Sequence, residues 1–236
     1  MHGRNFLKTM LAAASIATVA ISSAFAADLN GAPPYNSIKD EPIYAPTFSW
    51  TGFYVGAQTG YVWGNADHSY SGGFPSGSSD PEGWIGGAHA GYNIQAGDIV
   101  YGIEADIEGG DVSGKFTNAI SSGSADLNWQ GSIRGRLGYA SGKALFYVTG
   151  GWAFGDFDFN GGPAGNFAGG YSETLNGWTL GAGGEFALSN NMTMRLEYRY
   201  TDFGSASGNL SPTFPGVRMP VDLDTHAIRA GISYKF

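Results

Sequence analysis

Trp50-Thr51-Gly52-Phe53-Tyr54-Val55-Gly56-Ala57-Gln58-Thr59-Gly60-Tyr61-Val62-Trp63-Gly64 has a period of two. From Phe53 the odd positions (Phe53, Val55, Ala57, Thr59, Tyr61, Trp63) are mostly apolar or aromatic, and the even ones (Gly52, Tyr54, Gly56, Gln58, Gly60) are small or polar. Successive side chains of a strand leave opposite faces, so this pattern predicts a strand with two chemically distinct sides. Segments of the same kind recur to Phe236, over about 84–95, 99–108, 127–139, 145–155, 175–187, 192–201 and 225–236. Ala96-Gly97-Asp98, Ala140 to Lys143 and Ser189-Asn190-Asn191 carry the residue types of tight turns. The other separators, roughly 65–83, 109–126, 156–174 and 202–224, are long and rich in Gly, Ser and Asp. Outer-membrane barrels combine an even strand count with short periplasmic turns and long outside loops. The expected fold is therefore all-β, an eight-stranded antiparallel up-and-down transmembrane β-barrel.

Alternation alone does not say which face is inside. One face carries Ile99, Tyr101, Ile103, Ala105 and Ile107, then Leu127, Trp129, Ile133, Leu137 and Tyr139, with Met194, Leu196, Tyr198, Tyr200, Ile228, Ile232 and Tyr234 further on. A lipocalin-like soluble barrel would turn this face inward to hold a greasy ligand. Three observations favour lipid outside. The charged face is rich in glycine (Gly87, Gly91, Gly151, Gly177, Gly181, Gly183), which suits a cramped interior. Trp63, Trp84, Trp129, Trp152 and Trp178 fall near the long-loop ends of their strands, as an interfacial girdle would. The last strand ends on an aromatic residue, Phe236.

That orientation sends Glu104, Asp106, Glu108, Glu185 and Glu197 inward with Arg134, Arg136, Arg195, Arg199, Arg229 and Lys235. Opposite charges in so narrow a space are expected to pair, with Glu104, Asp106 and Glu108 facing Arg134 and Arg136 on the neighbouring segment, because an isolated buried charge is costly. An ion path is one reading. A structural plug is the better one, since eight strands leave an interior that side chains can fill.

The N-terminus reads as an export signal. Arg4 and Lys8 precede an apolar, Ala-rich run from Met10 to Ile21, and Ala24-Phe25-Ala26 is a small-x-small site with cleavage expected before Ala27. Three segments follow: a signal peptide over 1–26, a Pro-rich extended tail over 27–49 and the barrel over 50–236. The net charge of −8 argues against a nucleic-acid partner. Much of that acidity falls in the long separators, at Asp67, Asp80, Glu82, Asp111, Asp126, Asp156, Asp158, Glu173, Asp202, Asp222 and Asp224, against Lys115 and Arg218. No separator holds an oxygen cluster tight enough for a calcium site.

Enzymatic chemistry has thin support. Beyond the signal the histidines are His68 in the first long separator, His89 on the polar face and His226 on the lipid side. Asp67, His68 and Ser69 could be drawn into a hydrolase, but three adjacent residues in a Gly/Ser loop lack the third-party geometry such a site requires. Haem binding through His68, Tyr70, Phe74 or Tyr171 is a further alternative, with packing of the loops the simpler account. Gly181-Ala182-Gly183-Gly184 opens no helix, so a dinucleotide loop fails its context test. The expectation is a non-enzyme without cofactor or metal.

The opening Ser49-Trp50-Thr51-Gly52-Phe53-Tyr54-Val55-Gly56, with Tyr61-Val62-Trp63-Gly64, Arg134-Gly135-Arg136-Leu137-Gly138-Tyr139, Tyr147-Val148-Thr149-Gly150-Gly151, Gly181-Ala182-Gly183-Gly184-Glu185 and the closing Arg229-Ala230-Gly231-Ile232-Ser233-Tyr234-Lys235-Phe236, resembles the small outer-membrane immunogenic proteins of alphaproteobacteria. The resemblance implies a porin-like barrel related to the transmembrane domain of OmpA, in the outer membrane of a Gram-negative cell. It implies that Tyr234 and Phe236 form the signal read by the barrel-assembly machinery, with membrane lipid as the other partner. With the sequence ending on the eighth strand, a peptidoglycan-binding domain and wall anchoring are not expected. The expected function is a structural and antigenic surface protein with acidic outer loops. The alternatives are a narrow channel and a surface that binds haem or a host ligand.

Overall fold

The computed structural model describes residues 48–68, 77–117, 121–163, 169–209 and 218–236. The signal, the tail up to residue 47, and the side chains of His68, Ser69, Tyr70, Phe74 and Tyr171 lie outside the described residues. Among the described residues nine strands follow in order: β1 (Gly52–His68), β2 (Gly77–Ser79), β3 (Glu82–Ala96), β4 (Ile99–Thr117), β5 (Ser121–Ser141), β6 (Ala144–Pro163), β7 (Gly169–Ala187), β8 (Met192–Asn209) and β9 (Arg218–Lys235). Each of β1 and β3 to β9 pairs antiparallel with its neighbours in sequence, and β1 pairs with β9 from Tyr54↔Lys235 to His68↔Val221. That last ladder closes an eight-stranded barrel. The three-residue β2 lies against the end of β1.

Tight hairpins set the register at one end. Gly97 and Gly142 stand first in two-residue loops with φ of +64° and +60°, a backbone conformation that glycine adopts freely. At the third hairpin the Leu188 amide donates to the Met192 carbonyl at 2.8 Å.

The two faces separate cleanly. Ile103 and Leu196 are 68% and 60% exposed, whereas their neighbours Glu104 and Arg195 are 2% and 4% exposed. All five tryptophans of the expected girdle are on the outer surface. An apolar belt this continuous is far larger than a water-soluble protein carries, and it fits a hydrocarbon surround.

The strands run further than their alternation. A tilted strand crosses the bilayer in about 9–11 residues, yet β5 has 21 and β6 has 20. Most of 109–126, 156–174 and 202–224, expected as loop, is paired strand. Beyond the bilayer the outer face meets water while the inner face packs apolar side chains such as Val112 and Phe157, so the ladder persists while the apolar phase changes sides. Bulges between Gly109 and Val112, Leu127 and Trp129, and Asp202 and Ser205 also shift the phase. One consequence corrects the expected lipid face: Leu127 points inward and is buried, because the extra residue flips it relative to Trp129.

At the long-loop end the wall divides. The β7–β8 ladder stops at Trp178↔Asp202, while β7 continues on β6 to Gly161↔Gly169 and β8 on β9 to Asn209↔Arg218. Likewise β3 starts at Glu82, opposite Ser113, while β4 and β5 stay paired as far as Thr117↔Ser122.

The barrel interior as the candidate functional site

The interior has three storeys, each set by the inward positions of the strands. At the short-turn end Trp50, Val100, Ala140, Leu145 and Tyr147 form a buried apolar cluster, with Phe48 packed against it. Trp50 precedes β1 and folds into the mouth, where its backbone amide donates to Gln95 Oε1 at 2.8 Å and its ring meets Phe48 edge-on at 4.8 Å. At the long-loop end Val62, Ala66, Ile85, Val112, Leu127, Ala153, Phe157, Leu175, Phe203, Leu223 and Ala227 form a second cluster. Phe157 and Phe203 meet edge to face in it at 5.1 Å.

Between the two lies an ionic layer, and Arg134 is its hub. Its Nη2 donates to Glu104 Oε1 at 2.5 Å and to Asp106 Oδ2 at 2.8 Å, and its Nη1 donates to Glu197 Oε1 at 2.9 Å. Its Nε reaches Ser132 Oγ at 2.9 Å, and Nη1 also reaches Thr149 Oγ1 at 2.9 Å. Arg195 pairs with Glu104 at 2.5 Å, and Arg199 bridges Asp106 at 3.1 Å and Glu197 at 2.8 Å. Arg229 takes Glu108 in a fork, Nε to Oε1 at 2.9 Å and Nη2 to Oε2 at 2.9 Å. Gln58 and Gln130 complete that carboxylate at 2.6 and 2.9 Å.

Arg136 pairs with Glu185, and its guanidinium carbon lies 3.8 Å from the centre of the Tyr147 ring. Thr193 donates to the other Glu185 oxygen at 2.5 Å. The Tyr54 and Tyr147 hydroxyls donate to Glu104 at 2.8 Å and Glu197 at 3.1 Å. All ten of these charged side chains are buried. Burying an ion pair is close to break-even against an apolar pair of the same shape, but removing one partner leaves a stranded charge. The layer thus ties β1, β4, β5, β6, β7, β8 and β9 together through contacts that work only as a set.

The structure rearranges the expected charge list in two ways. Arg136 does not sit opposite the acid trio of β4. Its cross-strand neighbours are Gly102 and Thr149, and it pairs with Glu185 across the bore. Lys235 is not part of the network: it is half-buried at the rim, and its Nζ donates to the Thr51 carbonyl at 3.2 Å beside the Phe48 ring. It is the last inward position of β9, beyond the final acidic level, so the nearest acceptor is backbone. The layer therefore holds five carboxylates and five guanidiniums.

Other expected positions fall as follows. His89 is buried with its Nε2 2.8 Å from Ser233 Oγ, and His226 lies on the outer face with Nδ1 2.7 Å from the Tyr198 hydroxyl. Tyr234 and Phe236 are exposed on the outer face at the short-turn rim, their rings 5.2 Å apart, and the Phe236 amide donates to the Phe53 carbonyl at 2.9 Å. The Asp67-His68-Ser69 arrangement and the haem candidates His68, Tyr70, Phe74 and Tyr171 fall outside the described residues. Among the described residues no group of three or more His, Asp or Glu is set to hold a metal.

Sequence reasoning missed the two apolar storeys. Val62 and Ala66 continue the inward face of Tyr54 and Gln58 on β1, and that parity was the available signal. Trp50 gave none, because it precedes the strand.

A closed β-barrel with an apolar belt and a packed polar bore defines the class of outer-membrane barrel proteins. Residues 12–236 match the family model described as the outer membrane protein beta-barrel domain. The chain belongs to that family and, within it, to the outer-membrane immunogenic proteins of alphaproteobacteria, so its location is the cell outer membrane. It is 38% identical to the 31 kDa outer-membrane immunogenic protein of Brucella melitensis, over 94% of this chain and 98% of the relative. It is 36% identical to the 25 kDa outer-membrane immunogenic protein of Brucella canis, over 91% and 92%, and 35% identical to a 22 kDa outer membrane protein of Rhizobium leguminosarum bv. viciae, over 84% and 83%. In fold it is similar to the outer membrane protein OprG from Pseudomonas aeruginosa, with a TM-score of 0.52 at 15% identity, covering 79% of this chain and 96% of that one.

Proposed function

We propose that the protein is a closed, structural component of the outer membrane whose water-facing end forms an acidic antigenic surface, and that it contributes to envelope integrity and surface contact. The observation that carries this reading is the filled bore. A conducting path would have to pass an apolar cluster, a fully paired ionic layer and a second apolar cluster, and none of the three has a ligand to release. The short hairpins face the periplasm and the long strand extensions face outward, following the usual plan of such barrels. The outward carboxylates of Asp111, Asp156, Asp158, Asp202, Asp222 and Asp224 then lie on the cell surface. Membrane lipid surrounds the apolar belt, and the barrel-assembly machinery reads Tyr234 and Phe236 during insertion. Planar-bilayer recording tests the central point. The refolded protein gives no stable single-channel openings, and reproducible openings through the native chain would replace this reading with that of a narrow porin.

A further inference from the structure

Beyond the aromatic belt the barrel wall has a slot between β7 and β8. Gly177 marks its base, where an added Cβ would collide with the Asp202 carbonyl oxygen at 1.8 Å. Past that point, with Gly204 of β8 still beside the Asn176 carbonyl, β7 runs on from Leu175 to Gly169 with no strand paired on its β8 side among the described residues. β8 turns away at the same height, through its bulge and Gly204 with φ of +69°. Alternate residues of such an edge present backbone N–H and C=O groups to whatever lies alongside, which makes it a template for another strand. Proteins blunt such edges with Lys, Pro or a bulge. Gly169-Gly170-Tyr171-Ser172-Glu173-Thr174-Leu175-Asn176 has none of these, and its one charge is acidic.

The opposite lip is acidic as well. A recess of about 320 Å³ on β8 and β9 is lined by Asp202, Ser205, Asp222 and Asp224 beside Tyr200 and Gly204. Asp202 Oδ1 accepts from the Gly204 amide at 2.8 Å and Asp222 Oδ1 from Ser205 Oγ at 2.5 Å, so among the described residues each keeps a second oxygen without a hydrogen-bond donor. Among the described residues no ion pair engages Asp202 or Asp222.

We infer that this slot docks an extended basic segment of a partner protein. The segment adds as a strand to the free edge of β7 and sends Lys or Arg side chains towards the Asp202–Asp222–Asp224 recess. Backbone pairing supplies the affinity and the carboxylates supply the preference for basic side chains. The inference uses the proposed orientation only to place the slot outside the cell, and binding to purified protein tests it whichever side the slot faces.

The experiment titrates the full barrel protein in detergent micelles with an eight-residue peptide alternating Lys and Val. The same peptide with alternate amides N-methylated, and one with Glu in place of Lys, serve as comparisons. The Lys peptide binds saturably and slows hydrogen exchange in Gly169–Asn176. The N-methylated peptide binds at least tenfold more weakly, and the Glu peptide does not saturate. A variant carrying Asp202→Asn and Asp222→Asn loses at least fivefold affinity with an unchanged unfolding midpoint. Absence of saturable binding by the Lys peptide, equal binding of the N-methylated peptide, or unaltered affinity in the variant would each overturn the inference.

Discussion

At the scale of the residue, Arg134 concentrates the energetics of the interior. It touches three carboxylates and two hydroxyls and is 1% exposed. Truncation would leave Glu104, Asp106 and Glu197 with less positive charge than they need in a space water does not reach. Arg134→Ala therefore costs about 3–5 kcal/mol, the range for a broken buried pair, read from urea unfolding of the protein in lipid vesicles. The opposite kind of side chain gives the complementary test on the other face. Ile103 meets hydrocarbon within the membrane-crossing part of β4, and Ile103→Arg costs about 2–4 kcal/mol by the same measurement, as charges on the lipid side of a barrel do near the midplane. The inner face of β5 and the outer face of its neighbour β4 thus reject each other's chemistry.

At the scale of the element, the short hairpins carry the register. A side chain at Gly97 or Gly142 has open space around it, so what opposes substitution there is backbone geometry and not collision. Gly97→Ala and Gly142→Ala each destabilise by about 1–2 kcal/mol, the cost of holding an L-residue in the left-handed region, measured as a lowered urea midpoint with the barrel still formed. These turns were legible in the sequence because Gly sits between two alternating runs. So were the lipid and interior faces of the membrane-crossing parts, where hydrocarbon on one side and cramped polar space on the other impose strict alternation. The upper halves of β4 to β8 were not legible, since there the outer face turns polar and the inner face apolar, the reverse of the membrane-crossing parts. Leu127 shows the second obstacle: a bulge inserts one residue, and parity counted from Trp129 then gives the wrong face. The pairing of Arg136 with Glu185 shows the third, because a side chain that reaches across the bore ignores the strand neighbours that sequence order suggests.

At the scale of the whole molecule, the barrel behaves as a stoppered cylinder. The ionic layer alone would invite water, and either apolar cluster alone would leave the other end open. Together they fill the bore among the described residues, which is why the proposed closed state predicts silence in bilayer recording for the native chain. Balance also matters: among the described residues the ionic layer sets five carboxylates against five guanidiniums, so it adds nothing to the net negative charge of the chain. The strand extensions decide how that surface is seen by an immune system. Asp156, Asp158 and Asn128 lie on adjacent strands, joined by bonds of 3.3 and 2.9 Å, although about thirty positions separate Asn128 from the aspartates in sequence. An epitope there is assembled by pairing and vanishes when the sheet melts. Sera raised against the folded barrel will bind intact bacteria, whereas sera raised against boiled, unfolded antigen will recognise blots and miss living cells.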